Sequence, residues 1–259
     1  MQGLFCETDD DIRHKMIKRT LIIAATVIAL ISCDSKSETA ETTILGSSGI
    51  QVVGAMKNVM WKGELGGTIS LDTIKVRKGL YALGPVEYLT GELLVIDGKS
   101  YVSTVILDST VAVEETFHVK APFLVYTNQR DWNIEELQLD IRTINDLEEF
   151  IDKATADFER PFVFKLVGIV DTAEIHIQNL PLGTAVSSPE EAHQGQVNYS
   201  IENSEVEIVG FFSTDHKGVF THHDSNVHMH LITADRKRMG HLDKVSFRNG
   251  KVKLYLPKK

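Results

Sequence analysis

Apolar and polar positions alternate most regularly near the end of the chain, in Val227-His228-Met229-His230-Leu231-Ile232. A period of two is the signature of a strand, so Val227, Met229 and Leu231 share one face and the two histidines share the other. Shorter alternating or apolar runs predict strands at Gln51–Val59, Gly67–Leu71, Gly91–Ile96, Tyr101–Leu107 and Thr116–Val119. They predict more at Phe162–Asp171, Thr172–Gln178, Val206–Phe212, Val245–Phe247 and Lys251–Leu256. Asp97-Gly98, between two such runs, fits a two-residue hairpin turn. Thr73–Gly79 fits a short helix closed by glycine. The clearest helix is Asn145–Ala156: Asn145 or Thr143 can cap it, acids fill its first turn, and Leu147, Phe150, Ile151 and Ala154 form one apolar face. Gln178–Gly195, with Pro181, Gly183 and Pro189, reads as a long loop. Strands outnumber helices and mostly follow one another directly, so the fold class expected is α+β with a mostly antiparallel or mixed β-sheet.

The N-terminal region follows a different logic. Met16-Ile17-Lys18-Arg19 is basic, Leu21 to Ile31 is apolar, and Ser32-Cys33 closes the run. A basic start, a short apolar core and a small-residue end make a secretory signal, and the apolar run is short for a membrane-spanning helix. Leu30-Ile31-Ser32-Cys33 resembles the lipobox of bacterial lipoproteins, which implies lipidation of Cys33 and export to a membrane-anchored position on the periplasmic or cell-surface side. The acids at Glu7, Asp9, Asp10 and Asp11 do not suit a signal, so translation is expected to start at Met16. Residues 1–33 are therefore assigned to the signal, 34–49 to a polar flexible tether and 50–259 to the folded domain.

Composition narrows the chemistry. The net charge of -9 argues against a nucleic-acid partner, which would need a basic face. Both cysteines, Cys6 and Cys33, precede the folded part, so disulfides and thiolate metal sites are excluded there. Any metal has to be held by imidazole or oxygen. Seven of the ten histidines lie after residue 190. His228 and His230 lie on one face of a strand, and a reversal through Thr233–Lys237 allows a returning strand to bring His241 beside them, with Gly240 permitting close backbone approach. Three imidazoles without a thiolate suit Zn²⁺ or another divalent transition metal and leave positions open for substrate. The competing reading is two solvent-facing histidines on an amphipathic strand plus an unrelated third. A cupin also uses His-x-His on a strand, but its following glutamate is absent here. His222, His223 and Asp224 form a second cluster, read as a polar loop at the pocket mouth.

The stretch from His228 to Arg236, followed by Met239-Gly240-His241-Leu242, resembles α-acetolactate decarboxylase, as does Leu89-Thr90-Gly91-Glu92-Leu93. The similarity runs over residues 50–258, dense in these two motifs and thin between them. It implies zinc on His228, His230 and His241, and Glu92 facing the metal pocket. It also implies a small 2-hydroxy-3-oxo acid such as 2-acetolactate as substrate, lost as CO2 to leave acetoin. Assembly is left open, a homodimer being one option. Two departures accompany it. The family's carboxylate-holding arginine aligns with His176, anchored on Phe164-Lys165 and Gly168, and a family tail bearing a second pocket glutamate lies beyond Leu256-Pro257-Lys258-Lys259. The resemblance therefore implies lower activity on the usual substrate, a different substrate, or a non-catalytic binding lipoprotein that retains the fold. Glu92 and His176 are the candidate catalytic residues.

Overall fold

The computed structural model describes residues 42–45, 49–107 and 110–258. The proposed signal, Cys33 and most of the tether lie outside them. No helix among the described residues is long and apolar enough to cross a membrane. The strands are β1 (Thr43–Leu45), β2 (Ile50–Val53), β3 (Ile69–Ser70), β4 (Leu80–Pro85), β5 (Glu92–Ile96), β6 (Lys99–Leu107), β7 (Thr110–Glu115), β8 (Lys120–Ala121), β9 (Leu124–Asn128) and β10 (Trp132–Glu136). The long strands β11 (Phe162–Ile177), β12 (Val197–Phe212), β13 (Val227–Thr233) and β14 (Met239–Pro257) follow. Among the described residues three α-helices punctuate them: α1 (Met56–Lys62), α2 (Ile144–Ala154) and α3 (Pro189–Ala192).

β1, β2, β9, β4, β5, β6 and β7 form, in that spatial order, a seven-stranded antiparallel sheet. The second sheet runs β10-β14-β11-β12-β13, and β14 also pairs with β13, so four of its strands close into a ring. Inside that ring Phe164, Val170, Ile175, Ile208, Met229, Leu231 and Phe247 pack against Leu147 and Ile151 of α2. The ring's outer face meets the seven-stranded sheet: Val209, Phe211, Ile232 and Met239 pack with Tyr81, Leu83, Leu94 and Val125. Both sheets thus present one apolar face to a common core. The expected α+β, mostly antiparallel architecture is present.

Local chemistry explains where elements start and stop. Thr143 caps α2 in a reciprocal capping box with Asp146. Asp97 and Gly98 both take positive φ in the β5–β6 hairpin, as the turn requires. Three expectations are corrected. Gln51–Val59 is not one strand: Gly54, at φ +68, ends β2, and α1 follows with Met56 and Val59 on its buried side. Thr73–Gly79 is not a helix. A single 3-10 turn at Leu71–Thr73 gives way to extended chain, and the carbonyls of Val76 and Lys78 are satisfied by Asn128 Nδ2 at 3.0 and 3.1 Å. Thr116–Val119 is not a strand, because the Thr116 hydroxyl accepts the His118 N–H at 3.0 Å and turns the chain locally.

Other boundaries move without changing the class. Phe162–Asp171 and Thr172–Gln178 are one strand, β11, and the runs at 245–247 and 251–256 are both parts of β14. The loop 178–195 contains α3, capped by Ser188.

Candidate metal centre

The ladder of the second sheet assembles the histidines. His228 pairs with Phe211 and His230 with Val209, both members of the inter-sheet core, so the two imidazoles point between the sheets. His241 pairs with His230, and His176 pairs with His241 on its other side. Three histidines therefore stand in one cross-strand row over β13, β14 and β11, sharing a face. Gly240 makes this approach possible: a Cβ there would lie 2.5 Å from the main-chain oxygen of His176.

The side chains converge. One ring nitrogen each from His228, His230 and His241 lies within 4.8 Å of the others, and all three residues are buried. Ring centroids are 5.1 Å apart for His228–His230, 5.0 Å for His228–His241 and 5.4 Å for His230–His241. The solvent-facing alternative is thereby removed, because all three histidines are buried between the sheets, and His228 and His241 line a cavity there. The Nε2 of His230 has no hydrogen-bonding partner. A fully buried nitrogen left bare is costly. Burial, reinforced by neighbouring histidines, pushes all three imidazoles down, His230 to about 3 and the other two well below the usual value. They are neutral at physiological pH, the form that offers lone pairs to a cation. An orphaned buried nitrogen among neutral imidazoles is a donor set that fits a divalent transition metal.

Glu92 reaches the cluster from the opposite sheet. Tyr88 and Leu89 take positive φ in the turn before it, and a Cβ at Gly91 would lie 2.3 Å from the Ser103 carbonyl oxygen. The turn delivers the first residue of β5 into the inter-sheet core, on the face of Leu94 and Ile96. Glu92 Oε2 lies 3.6 Å from His230 Nε2, and Oε1 accepts the Gln178 N–H at 3.3 Å. With His230 neutral this is not an ion pair. Burial holds the Glu92 carboxyl well above the usual carboxylate range, only partly opposed by the Gln178 hydrogen bond.

His176 packs on His241 with centroids 4.6 Å apart. Both carboxylate oxygens of Asp243 accept from His176 Nδ1, at 2.8 and 2.9 Å, which leaves Nε2 as the nitrogen nearer Gln178, 3.5 Å away. Asp243 was not anticipated from the sequence. It is the unpaired residue where β14 slips against β11, between Leu242 opposite Ile175 and Lys244 opposite Glu174. That irregularity re-aims its carboxylate. The spacing His241-x-Asp243 on a strand was the available signal. Also unanticipated were Phe123, Met56 and Met60, which with Glu92, His176, His228 and His241 line a cavity of about 30 Å3. Among the described residues no arginine or lysine lines it. His222 borders the cavity and lies with its Nε2 3.1 Å from that of His241.

Two antiparallel sheets that bury converging neutral imidazoles and a carboxyl define a β protein with an internal histidine centre. The chain belongs to the alpha-acetolactate decarboxylase family, whose model matches residues 53–258. It is 25% identical to the alpha-acetolactate decarboxylase of Lactococcus lactis subsp. cremoris over 190 residues, covering 73% of this chain and 76% of that one. It is 24% identical to the Brevibacillus brevis enzyme over 259 residues, covering 92% and 87%. The fold is similar to that of alpha-acetolactate decarboxylase from Bacillus subtilis strain 168 (TM-score 0.65, 20% identity, 80% of this chain and 85% of that one). It is equally similar to a Staphylococcus aureus protein of unknown function described as similar to alpha-acetolactate decarboxylase (TM-score 0.66, 18% identity, 80% and 84%).

Proposed function

We propose that this protein is a metal-dependent lyase that removes CO2 from a small 2-hydroxy-3-oxo acid such as 2-acetolactate, with His228, His230 and His241 as metal ligands. The observation that carries this reading is the aim of Glu92. Its carboxyl, which has no lysine or arginine partner among the described residues, is directed at the bare Nε2 of His230 from the opposite sheet. A divalent ion held by the three imidazoles would supply Lewis acidity toward the hydroxyl and carbonyl oxygens of the substrate. Zinc is the metal best matched to three neutral imidazoles.

The chain's own residues account for the remaining steps. The bond between the carboxylate carbon and C2 breaks, CO2 leaves, and its electron pair moves toward the neighbouring carbonyl. C2 must then gain a proton on one face. Glu92 is positioned to supply it, because burial keeps it in the acid form. His176 is the residue we assign to hold the departing carboxylate, and Asp243, by accepting from Nδ1, would direct Nε2 to it. A histidine does this less well than an arginine fork, which is always charged. Turnover of 2-acetolactate below that of relatives bearing the arginine is therefore expected. Phe123, Met56 and Met60 form an apolar wall beside Glu92 that favours the neutral acid.

The test is metal analysis of the purified chain followed by an acetoin assay on 2-acetolactate, with His230→Ala as control. One equivalent of zinc in the wild type, acetoin formation and loss of both in the variant support the reading. A metal-loaded wild type that releases no acetoin refutes the lyase and leaves a metal-binding protein that keeps the fold.

We also propose, from the Leu30–Cys33 motif, an exported protein anchored through acylated Cys33. Cys33→Ala should move it from the membrane fraction to the soluble fraction, and an unchanged distribution would refute the anchor.

A further inference from the structure

Between β12 and β13 the chain makes a loop, residues 213–226, that carries His222 over the histidine cluster. The loop is tied down on both sides. Met56 and Lys57 at the start of α1 donate their N–H groups to Val219 and Gly218, both at 2.8 Å. On the other side Glu148 of α2 accepts the Ser225 hydroxyl at 2.7 Å and the Asn226 N–H at 3.1 Å. His222 is thus presented by a pinned segment rather than by a free tip.

Its ring nitrogen meets the cluster at a telling distance. The Nε2 atoms of His222 and His241 are 3.1 Å apart. Two nitrogens that each sit about 2.0–2.1 Å from one ion are separated by about 2.9 Å at a right angle and about 3.3 Å at the tetrahedral angle. The observed spacing falls between these limits. The ring also approaches His228, with centroids 5.9 Å apart. His222 borders two spaces at once: the inner cavity of about 30 Å3 beside Glu92, and an outer pocket of about 310 Å3 that reaches Asn145 and Asp243.

We propose that His222 is a fourth, displaceable metal-binding imidazole that closes the ion's coordination toward the outer pocket. This rests on the reading of His228, His230 and His241 as ligands. With four imidazoles engaged the shell is closed, as in sites that hold a metal without turning anything over. Release of His222 opens one position and joins the inner cavity to the outer pocket, which is large enough for a small acid. The loop then governs access, and Glu148 is a positioning residue because it anchors the loop.

The test uses the full chain, stripped with a chelator and titrated with Co²⁺ as a spectroscopic probe and with Zn²⁺ by calorimetry. Wild type should take one Co²⁺ per chain with the intense visible bands of a four-coordinate ion. His222→Ala should bind at least about tenfold more weakly, with altered bands. Glu148→Gln should move affinity in the same direction by less. X-ray absorption on the zinc-loaded wild type should show four imidazole scatterers, a readout that stands even if the variant folds poorly. Three imidazoles in wild type, or identical Co²⁺ affinity and spectrum in His222→Ala, would overturn the proposal while leaving the three-histidine site intact. Absence of Co²⁺ binding by wild type, matching His230→Ala, would overturn both.

Discussion

Replacing Glu92 with glutamine tests the energetic and the chemical role of one group together. The substitution keeps the size and the acceptor that receives the Gln178 N–H, but removes the ionisable proton. Glu92 is almost wholly buried, and its folded pKa is raised well above the unfolded value. A carboxyl with a raised folded pKa favours the fold only as the neutral acid. In the unfolded chain it ionises above about pH 4.5, so wild type loses stability relative to Glu92→Gln as pH rises from there to the folded pKa. The slope of that difference is about 1.4 kcal/mol per pH unit, the linkage value for one proton. The histidines are common to both proteins, so their contribution cancels in the difference. Urea unfolding of both metal-free proteins from pH 5 to 9, read as the difference between them, isolates Glu92. Acetoin formation by the metal-loaded proteins gives the second readout, with a loss on the order of 10²- to 10⁴-fold expected for a missing general acid. Parallel stability curves from pH 5 to 9 would refute the raised pKa, and unchanged turnover would refute the proton donor.

Gly240→Ala should destabilise by about 1–3 kcal/mol, since the new Cβ meets the His176 carbonyl oxygen at 2.5 Å. It should also weaken zinc binding by spreading the histidine row; thermal melting and zinc titration read the two effects, and a variant equal to wild type in both would refute the close-approach argument. Acidification acts on the imidazoles. Their folded pKa values lie below the unfolded 6.5, so their stabilisation is complete above that pH and is lost as pH falls, for His230 down to about 3. Each should contribute a slope of about 1.4 kcal/mol per pH unit below 6.5 in the metal-free protein. A urea midpoint that stays flat between pH 7.5 and 5 would contradict their neutral burial.

The parts legible in the sequence were those governed by local rules. The alternation at Val227–Ile232 placed two histidines on one face because strand geometry leaves no other choice, and β13 covers that stretch. Asp97-Gly98 and the Thr143 cap worked for the same reason. What escaped was set by tertiary context. β4 is buried on both faces from Leu80 to Pro85, so it has no alternation, and its Gly84-Pro85 reads as a break. Met56–Lys62 carries an apolar spacing that suits a short strand as well as a helix, and only Gly54 and the capping Gly63 decide it. Asp243 was missed because its aim depends on a slip of register between β14 and β11. The convergence of Glu92 with the histidines needs two sheets to meet, which no single-strand pattern encodes; there the family resemblance supplied the expectation.

Because the histidine row spans β13, β14 and β11, the centre comes into being only when the second sheet joins its own ends. An ion gripped there would act as a clasp on that closure. Its free concentration would feed directly into the melting temperature, adding about 2.7 kcal/mol at a hundredfold excess over the dissociation constant. Starved of metal, the chain would therefore lose resistance to unfolding and to proteases along with its chemistry, tying the lifetime of the protein to its supply of the ion.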